Sequence, residues 1–202
     1  FGAELERRGH RWDRESTPAN AIPSSIAARI SQVFGAGGFG MTVDAACASS
    51  LVAIDTACQA LMAGHTDLAI AGGVDFMTNP AIYIGFSRVG GLSAQGLSNP
   101  FDESADGFVI GEGAGAVLLQ RLEDALDQGM PIRAVIRGIG ATSDGAGRAI
   151  YAPSEKGRAQ ALRNALEIAE VSPCEVQYIE AHATSTVVGD AKEYDAVSMV
   201  YG

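Results

Sequence analysis

Apolar positions recur along the chain with two spacings, one typical of helices and the other typical of buried strands. Between residues 23 and 34 they follow helical spacing, which predicts a helix with one buried face and Ser24 as its N-cap. A strand is expected at 41–46, and a short, nearly all-apolar run at 67–74 predicts a second strand that is buried on both faces. The helix expected between them ends at Gly64, so this stretch predicts a right-handed strand-helix-strand unit with parallel strands.

The middle of the chain has weaker periodicity. Residues 75–106 carry many turn signals and predict one long, loop-rich segment, and such segments inside compact domains are usually functional. A strand is expected at 113–121 and a short helix at 122–128. Regular structure is therefore expected to resume only after the loop-rich segment.

The alternation begins again after a Gly-Met-Pro join at 129–131. Strands are expected at 132–139 and 176–181, and between them a helix that is capped by Ser154 and ends at Ala169. Strands that alternate with helices in this way are typical of the α/β class.

Composition agrees with a globular α/β protein. The chain has 202 residues, 47% hydrophobic and 19% charged, which is enough material for a hydrophobic core. Its 25 glycines lie beside short apolar runs, as in proteins with many tight strand-to-helix turns. We divide the chain into a first half at 1–130 and an incomplete second half at 131–202. Because it starts without Met and stops within an expected helix, we interpret it as a piece of a longer protein.

The charge balance narrows the possible partners. With 24 acidic and 14 basic residues the net charge is −10, so no extended basic surface is expected for nucleic acid or an anionic membrane. Neither a run of about 18 apolar residues nor a leader sequence indicates membrane insertion or secretion. The cysteines, Cys47, Cys58 and Cys174, lack CxxC spacing, which favours the reducing cytoplasm.

A GxGxxG pattern at 35–40 raises the question of nucleotide binding. A dinucleotide fingerprint follows a strand and opens a helix, because the phosphates bind at the N-terminus of that helix. Here the glycines follow a helix and precede the expected strand at 41–46, so we interpret them as a turn.

Cys47 stands where the expected strand at 41–46 meets the following helix. Small residues flank it, as a sharp turn that presents its apex side chain requires. Backbone N–H groups in the first helical turn favour an anion, and the thiolate is the nucleophilic form of cysteine. On these grounds alone, Cys47 is either a nucleophile or a small packed side chain.

The other cysteines and two of the histidines give no comparable signal. Cys58 lies about 16 Å from Cys47 along the same helix, too far to share a disulfide or a metal ion with it. We expect Cys58 to pack in the core and Cys174 to be structural or exposed. His10 and His65 are expected at the surface.

Four motifs, in order, give the chain a family resemblance. They are TVDAACASSLVAI at 42–54, DLAIAGGV at 67–74, NPFDESADGFVIGEG at 99–113 and EAHATSTVVGD at 180–190. Together they resemble β-ketoacyl synthases, the condensing enzymes of fatty acid and polyketide synthesis, over about residues 20–202. The resemblance implies an α/β fold, the thiolase-like αβαβα layered sandwich, here truncated at the C-terminus. The sequence at 138–145 and 149–153 is closest to that of iterative type I synthases of polyunsaturated fatty acids, glycolipids and enediynes.

The resemblance implies a role for five residues. Cys47 is the nucleophile that accepts an acyl group before condensation with a malonyl thioester gives a β-ketoacyl product. His182 matches the first histidine of the catalytic pair, a neutral imidazole that stabilises charge during decarboxylation. Glu193 matches a glutamate of the charged network, and Thr184 and Thr186 are supporting residues. No bound cofactor or metal is implied, since the substrates arrive as phosphopantetheine or CoA thioesters.

Two departures from the family pattern matter. The usual HGTGT reads HATST at 182–186, and because Ala183 replaces a glycine, we expect the backbone there to avoid positive φ. The family's catalytic lysine, second histidine and glycine-phenylalanine loop all follow the position where the chain stops. We therefore expect the chain by itself to be unable to complete the condensation.

The resemblance also implies partners. These are an acyl carrier protein or domain, neighbouring synthase domains and, in the intact protein, a second copy that completes a homodimer. Carrier proteins are usually acidic, so docking requires a local basic patch, and the candidates are Arg7, Arg8, Arg11 and Arg14.

Other functions remain as alternatives. A thiolase-type acyltransferase uses a second cysteine as its base, and neither Cys58 nor Cys174 has a suitable context. A chain-length factor is a non-catalytic partner that lacks the nucleophile, whereas Cys47 is present. A plain scaffold domain has no chemistry and would form no acyl adduct.

Overall fold

The computed structural model describes residues 22–77, 79–145 and 153–202. It divides into two compact units, one formed by residues up to 72 with 117–119 and the other by 73–116 with 120–202. The basic candidates for carrier docking and His10 lie outside the described residues. The boundary expected near residue 130 stays a prediction.

Helices predominate among the described elements. The α-helices are α1 (Ser24–Phe34), α2 (Ser49–Met62), α3 (Pro80–Arg88), α4 (Leu122–Asp127), α5 (Glu155–Ala169) and α6 (Val187–Tyr201), with 3₁₀ turns at Ala46–Ala48 and Pro173–Glu175. Strands β1 (Ala69–Asp75) and β2 (Gly113–Leu119) pair in a two-stranded sheet. Among the described helices, none is long and apolar enough to cross a membrane.

Helix α1 lies where it was expected, but its N-cap and its burial differ from the prediction. Pro23 occupies the N-cap and makes no side-chain capping bond, so the prediction of Ser24 as N-cap is wrong. Ile26 and Val33 are 45% and 77% exposed, so the apolar face is not buried by the described residues. Gly35 ends the helix in the left-handed conformation, as the interpretation of 35–40 as a turn requires.

The strand expected at 41–46 is absent, and with it the strand-helix-strand unit. Its backbone donors bind local side chains, because Ala45 N–H donates to Ser49 Oγ at 2.9 Å and Ala46 N–H donates to Asp44 Oδ1 at 3.0 Å. Side chains that bind the backbone locally compete with strand pairing. The end of the expected strand therefore leads into the 3₁₀ turn at Ala46–Ala48.

The next elements follow the prediction more closely. Helix α2 ends with Gly64 in the left-handed conformation, and His65 N–H closes the cap by donating to Ala60 O at 3.0 Å. Strand β1 overlaps the strand expected at 67–74, although the expected burial on both faces is wrong. Of its side chains only Ala71 is buried, and Ile70 is 41% exposed.

Helix α3 lies inside the segment that was expected to be loop-rich. Asn79 is its N-cap, accepting Ala81 N–H at 3.0 Å, and Pro80 occupies the first helical turn. Both residue types are favoured at these positions. The Asn-Pro pair is therefore a helix start, and the interpretation of it as a loop signal is wrong.

The strands expected at 132–139 and 176–181 are also absent. Both segments lie outside regular secondary structure, and no described strand pairs with either of them. The first lies against α5, where a Cβ added to Gly138 would lie 2.6 Å from Ala165 O. An apolar run predicts an extended segment, but a strand also requires a neighbour in register.

Helices α5 and α6 pack against each other in the second unit. Ser154 caps α5 as expected, accepting Gly157 N–H at 3.2 Å. The most buried apolar side chains of the pair, Ala159 and Ala196, are 0% and 1% exposed. Such small side chains let two helix backbones approach closely, which fixes the helix that follows His182.

Candidate active site

Cys47 occupies the middle of the 3₁₀ turn that leads into α2. Ala46 before it has φ +50°, the left-handed region that alanine seldom adopts. Ser49 holds the turn from both sides, because its Oγ accepts Ala45 N–H at 2.9 Å and donates to Ala46 O at 2.6 Å. The thiol is therefore presented on a strained turn that side chains brace.

The Cys47 residue is exposed, and it precedes the first turn of α2. Backbone N–H groups at a helix start favour negative charge, which suits a thiolate or the oxyanion of a thioester under attack. Cys58 is half-buried, and burial, followed by the charge of Asp55, raises the pKa of its thiol. Cys174 is exposed, as the sequence allowed.

His182 begins a loop whose backbone is held by a carboxylate. The two oxygens of Glu193 accept His182 N–H at 2.7 Å and Ala183 N–H at 2.8 Å. The residue His182 is exposed. The Glu193 side chain, which belongs to α6, therefore holds the backbone of this loop.

Ala183 has φ +50°, so the expectation that its backbone avoids positive φ is wrong. A left-handed residue costs about 1–2 kcal/mol when it is not glycine. Two hydrogen bonds offset that cost. Ala183 N–H donates to Glu193, and two residues later the buried Ser185 hydroxyl accepts Asn99 N–H.

The two threonines face each other across the loop. Thr184 Oγ1 and Thr186 Oγ1 are 2.9 Å apart, and Gly189 packs so closely on both hydroxyls that an added Cβ would clash with Thr186 Oγ1. Thr186 is the N-cap residue of α6. The pair therefore links the loop to the first turn of the helix.

Two buried polar residues, Ser185 in this loop and Asp190 in the first turn of α6, had no role assigned from sequence. Ser185 is 0% exposed and Asp190 is 5% exposed. Ser185 Oγ accepts Asn99 N–H at 2.9 Å, and Asp190 Oδ2 accepts Phe101 N–H at 2.7 Å. Asp190 Oδ1 is buried without a partner among the described residues. The sequence carried a signal for both, since they lie within the EAHATSTVVGD motif at 180–190.

The structure groups the predicted site residues by unit. His182, Thr184, Thr186 and Glu193 lie together in the second unit, where the described hydrogen bonds connect them, whereas Cys47 belongs to the first unit. No group of three His, Cys, Asp or Glu side chains in the described ranges could hold a metal ion.

Comparison with known families decides the assignment. The profile "Beta-ketoacyl synthase, N-terminal domain" matches residues 3–125, and "Beta-ketoacyl synthase, C-terminal domain" matches residues 133–202. The chain belongs to the β-ketoacyl synthase family. The resemblance of the four motifs is thereby confirmed.

Polyketide synthases are among the most similar relatives of this β-ketoacyl synthase chain. It is 44% identical over 182 residues to polyketide synthase GfsA of Streptomyces halstedii, covering 90% of the chain and 2% of that protein. It is 45% identical over 190 residues to a phenolphthiocerol/phthiocerol polyketide synthase of Mycobacterium tuberculosis, covering 94% of the chain and 12% of that protein. The chain thus spans a small part of these relatives.

Solved ketosynthase domains confirm the thiolase-like α/β fold. An oxazolomycin ketosynthase domain of Streptomyces albus superposes with a TM-score of 0.90 at 34% identity, covering 100% of this chain and 34% of that one. The ketosynthase from module 6 of the bacillaene synthase of Bacillus subtilis gives 0.86 at 37% identity, covering 95% and 35%. This chain corresponds to about a third of each.

Proposed function

We propose that Cys47 carries the growing acyl group in a protein that performs decarboxylative condensation. The Cys47 thiolate attacks the carbonyl of an acyl thioester, a new thioester forms on Sγ, and the thiol of the donor leaves. The observation that carries this proposal is the exposed thiol of Cys47 at the start of α2, on a turn with a left-handed Ala46.

The second half-reaction forms a carbon-carbon bond. A malonyl thioester loses CO₂, and the electron pair of the broken bond passes to the thioester as an enolate. The enolate carbon attacks the Cys47 thioester, and the Cys47 thiolate leaves as the β-ketoacyl product forms. Charge develops on the malonyl thioester oxygen, where the His182 imidazole acts as a hydrogen-bond donor.

The remaining predicted residues support His182. Glu193 holds the His182 and Ala183 backbone with two short hydrogen bonds, which restrains the backbone that carries the imidazole. Thr184 and Thr186 connect the same loop to α6. Positioning of this kind lowers the barrier because the donor is in place before charge develops.

The family relationship supports partners and a location as well. We propose that acyl groups arrive as phosphopantetheine or CoA thioesters, carried by an acyl carrier domain of a multidomain synthase. The complete protein is proposed to be a cytoplasmic homodimer that binds no cofactor, metal, nucleic acid or membrane in this domain. The similarity to large polyketide synthases supports the multidomain arrangement.

The rival functions receive less support. A thiolase requires a second cysteine as base, but the raised pKa of Cys58 keeps that thiol protonated at neutral pH, because burial and the charge of Asp55 both disfavour the thiolate. A chain-length factor or a scaffold domain needs no exposed thiol at a helix start, which Cys47 provides.

Mass spectrometry of the complete protein tests the proposal. After incubation with an acyl-CoA, we expect one acyl adduct on the peptide that contains Cys47, and no adduct in Cys47→Ala. Cys174→Ala is the matched control, because Cys174 is also exposed but lies outside the site. Acylation of Cys174 in place of Cys47, or of neither, would contradict the proposal.

A further inference from the structure

Ser185 combines two properties that seldom occur together. Ser185 is 0% exposed, and no larger side chain among the described residues is fully buried. Its φ is +59°, in the left-handed region that favours glycine. A buried serine in this conformation requires surrounding contacts that hold it there, since nothing in its own preferences does.

Those contacts come from one segment of the second unit. Ser185 Oγ accepts Asn99 N–H at 2.9 Å, and the Ser185 carbonyl accepts Gly107 N–H at 2.8 Å. The residue is thus bound through both its side chain and its backbone. Both donors are backbone groups, so the positions they fix depend on the path of the 99–107 segment.

The segment that holds Ser185 is itself anchored. Gly107 packs so closely on the chain that an added Cβ would lie 2.5 Å from Leu92 C, and Phe108 forms a parallel bridge with Leu92. Phe108 also packs edge-on against Phe86, with ring centroids 5.1 Å apart. The Gly107 N–H therefore comes from a braced part of the unit, and Ser185 is tied to it.

A glycine at position 185 would adopt φ +59° without strain, but it would have no acceptor for Asn99 N–H. An alanine would keep the strain and also lack the acceptor. Serine alone among the three offers the hydroxyl that binds this N–H, which is a reason for its presence here in spite of the unfavourable φ.

We propose that Ser185 is a positioning residue for His182. Its hydroxyl and carbonyl fasten the turn that follows His182 to the 99–107 segment, while Glu193 fastens the two residues at the start of the turn. The backbone that carries the imidazole is then held at both ends of the loop. This inference rests on the proposed role of His182 in decarboxylation.

Kinetics of the complete protein test the inference. Malonyl-CoA decarboxylation and the rate of acyl transfer onto Cys47 are measured for Ser185→Ala and Ser185→Gly, with Ser198→Ala, an exposed serine of α6, as the matched control. In both Ser185 variants we expect the kcat of decarboxylation to fall about 10- to 100-fold, the loss typical of a misplaced catalytic group. The KM and the acyl-transfer rate should stay within about twofold of wild type.

A purely structural role gives a different pattern. Loss of folded protein lowers decarboxylation and acyl transfer in the same proportion, and that result would overturn the inference. Wild-type kcat in both Ser185 variants would overturn it as well. If Ser185→Ala does not fold, Ser185→Gly decides alone, because glycine adopts this φ without strain.

A His182→Ala variant in the same series separates this inference from the function on which it rests. Loss of decarboxylation in His182→Ala with wild-type rates in the Ser185 variants rejects only the positioning role. Wild-type decarboxylation in His182→Ala rejects the proposed role of His182 and the positioning role together.

Discussion

At the scale of single residues, strain accumulates where the chemistry is proposed. Ala46 precedes Cys47, and Ala183 follows His182, and both have φ +50°. Ser185 and Phe101 are left-handed too, and each takes part in the hydrogen bonds around the His182 loop. Left-handed residues other than glycine cluster at functional sites. The conformation is strained, so it persists only where many surrounding contacts hold it in place.

This strain could not be predicted from the residue types. Positive φ is normally inferred from glycine, and HATST has no glycine between His182 and Thr186. What imposes the conformation is a set of distant acceptors and donors, of which Glu193 and Asn99 are examples. Cys47 and His182 were identified from motif resemblance, whereas the geometry that holds them depends on tertiary contacts.

Replacing Ala183 with glycine should stabilise the protein. Relief of the left-handed strain exceeds the entropy that glycine loses on folding, so we expect the opening free energy of α6 to rise by about 1 kcal/mol. Hydrogen exchange at the α6 amides measures it. Ala191→Gly, an exposed position within α6, is the control and should lower the same quantity by about 1 kcal/mol. Equal losses in both variants would contradict strain at Ala183.

The thiols should differ in reactivity with pH. Burial and the charge of Asp55 raise the pKa of Cys58, so less of its thiolate is present at neutral pH than for an ordinary cysteine. We expect iodoacetamide to label the exposed Cys47 and Cys174 before Cys58, with the difference shrinking as pH rises. Peptide mass spectrometry follows each site. Preferential labelling of Cys58 at pH 7 would contradict the expectation.

At the scale of elements, helices were predicted better than strands. Helices α5 and α2 carry their own start and stop signals, such as the Ser154 cap and Gly64. A strand needs a partner that its own residues do not specify, and the segments expected at 132–139 and 176–181 have none among the described strands. The apolar pattern therefore could not supply the pairing that a strand requires.

Gly138 packs closely against helix α5. A Cβ there would lie 2.6 Å from Ala165 O and 2.7 Å from Ala169 N, both backbone atoms of α5. Because backbone cannot move aside as a flexible side chain can, we expect Gly138→Ala to lower the free energy of unfolding by about 1–3 kcal/mol. Chemical denaturation measures the loss. Gly111→Ala, where an added Cβ meets nothing within 4 Å, is the control and should be far milder.

Acid should release the segment beside Asp106. Hydrogen bonds lower the pKa of the Asp106 carboxyl, and the bond to the Ser93 side chain has the largest effect. Ala94 N–H also donates to this carboxylate, at 3.2 Å. A lowered folded-state pKa means that the stabilisation is present above the unfolded value, near 3.8, and is lost as pH falls through the folded value. Asp106→Asn should therefore speed Ala94 amide exchange at pH 7 and have little further effect in strong acid. A difference that persists unchanged at low pH would contradict this assignment.

At the scale of the whole molecule, few large apolar side chains among the described residues are buried. The buried apolar side chains among them are five alanines and Leu61, whereas large ones such as Phe34 and Tyr178 are 70% and 77% exposed. A chain of this length ordinarily buries about 70% of the surface that it exposes when unfolded. Because the chain covers about a third of its solved relatives, we expect further polypeptide of the longer protein to cover these faces.

Helix α1 offers a direct test of that expectation, since Val33 is 77% exposed on its apolar face and Gln32 is exposed beside it. In the 202-residue polypeptide, Val33→Glu should reduce self-association, measured by light scattering, because it adds charge to an apolar surface. In the complete protein the same variant should lower the melting temperature, since the carboxylate is forced into a covered apolar contact. Gln32→Glu, with the same added charge, should leave that melting temperature unchanged. Equal melting temperatures for both variants of the complete protein would show that the α1 face stays open there.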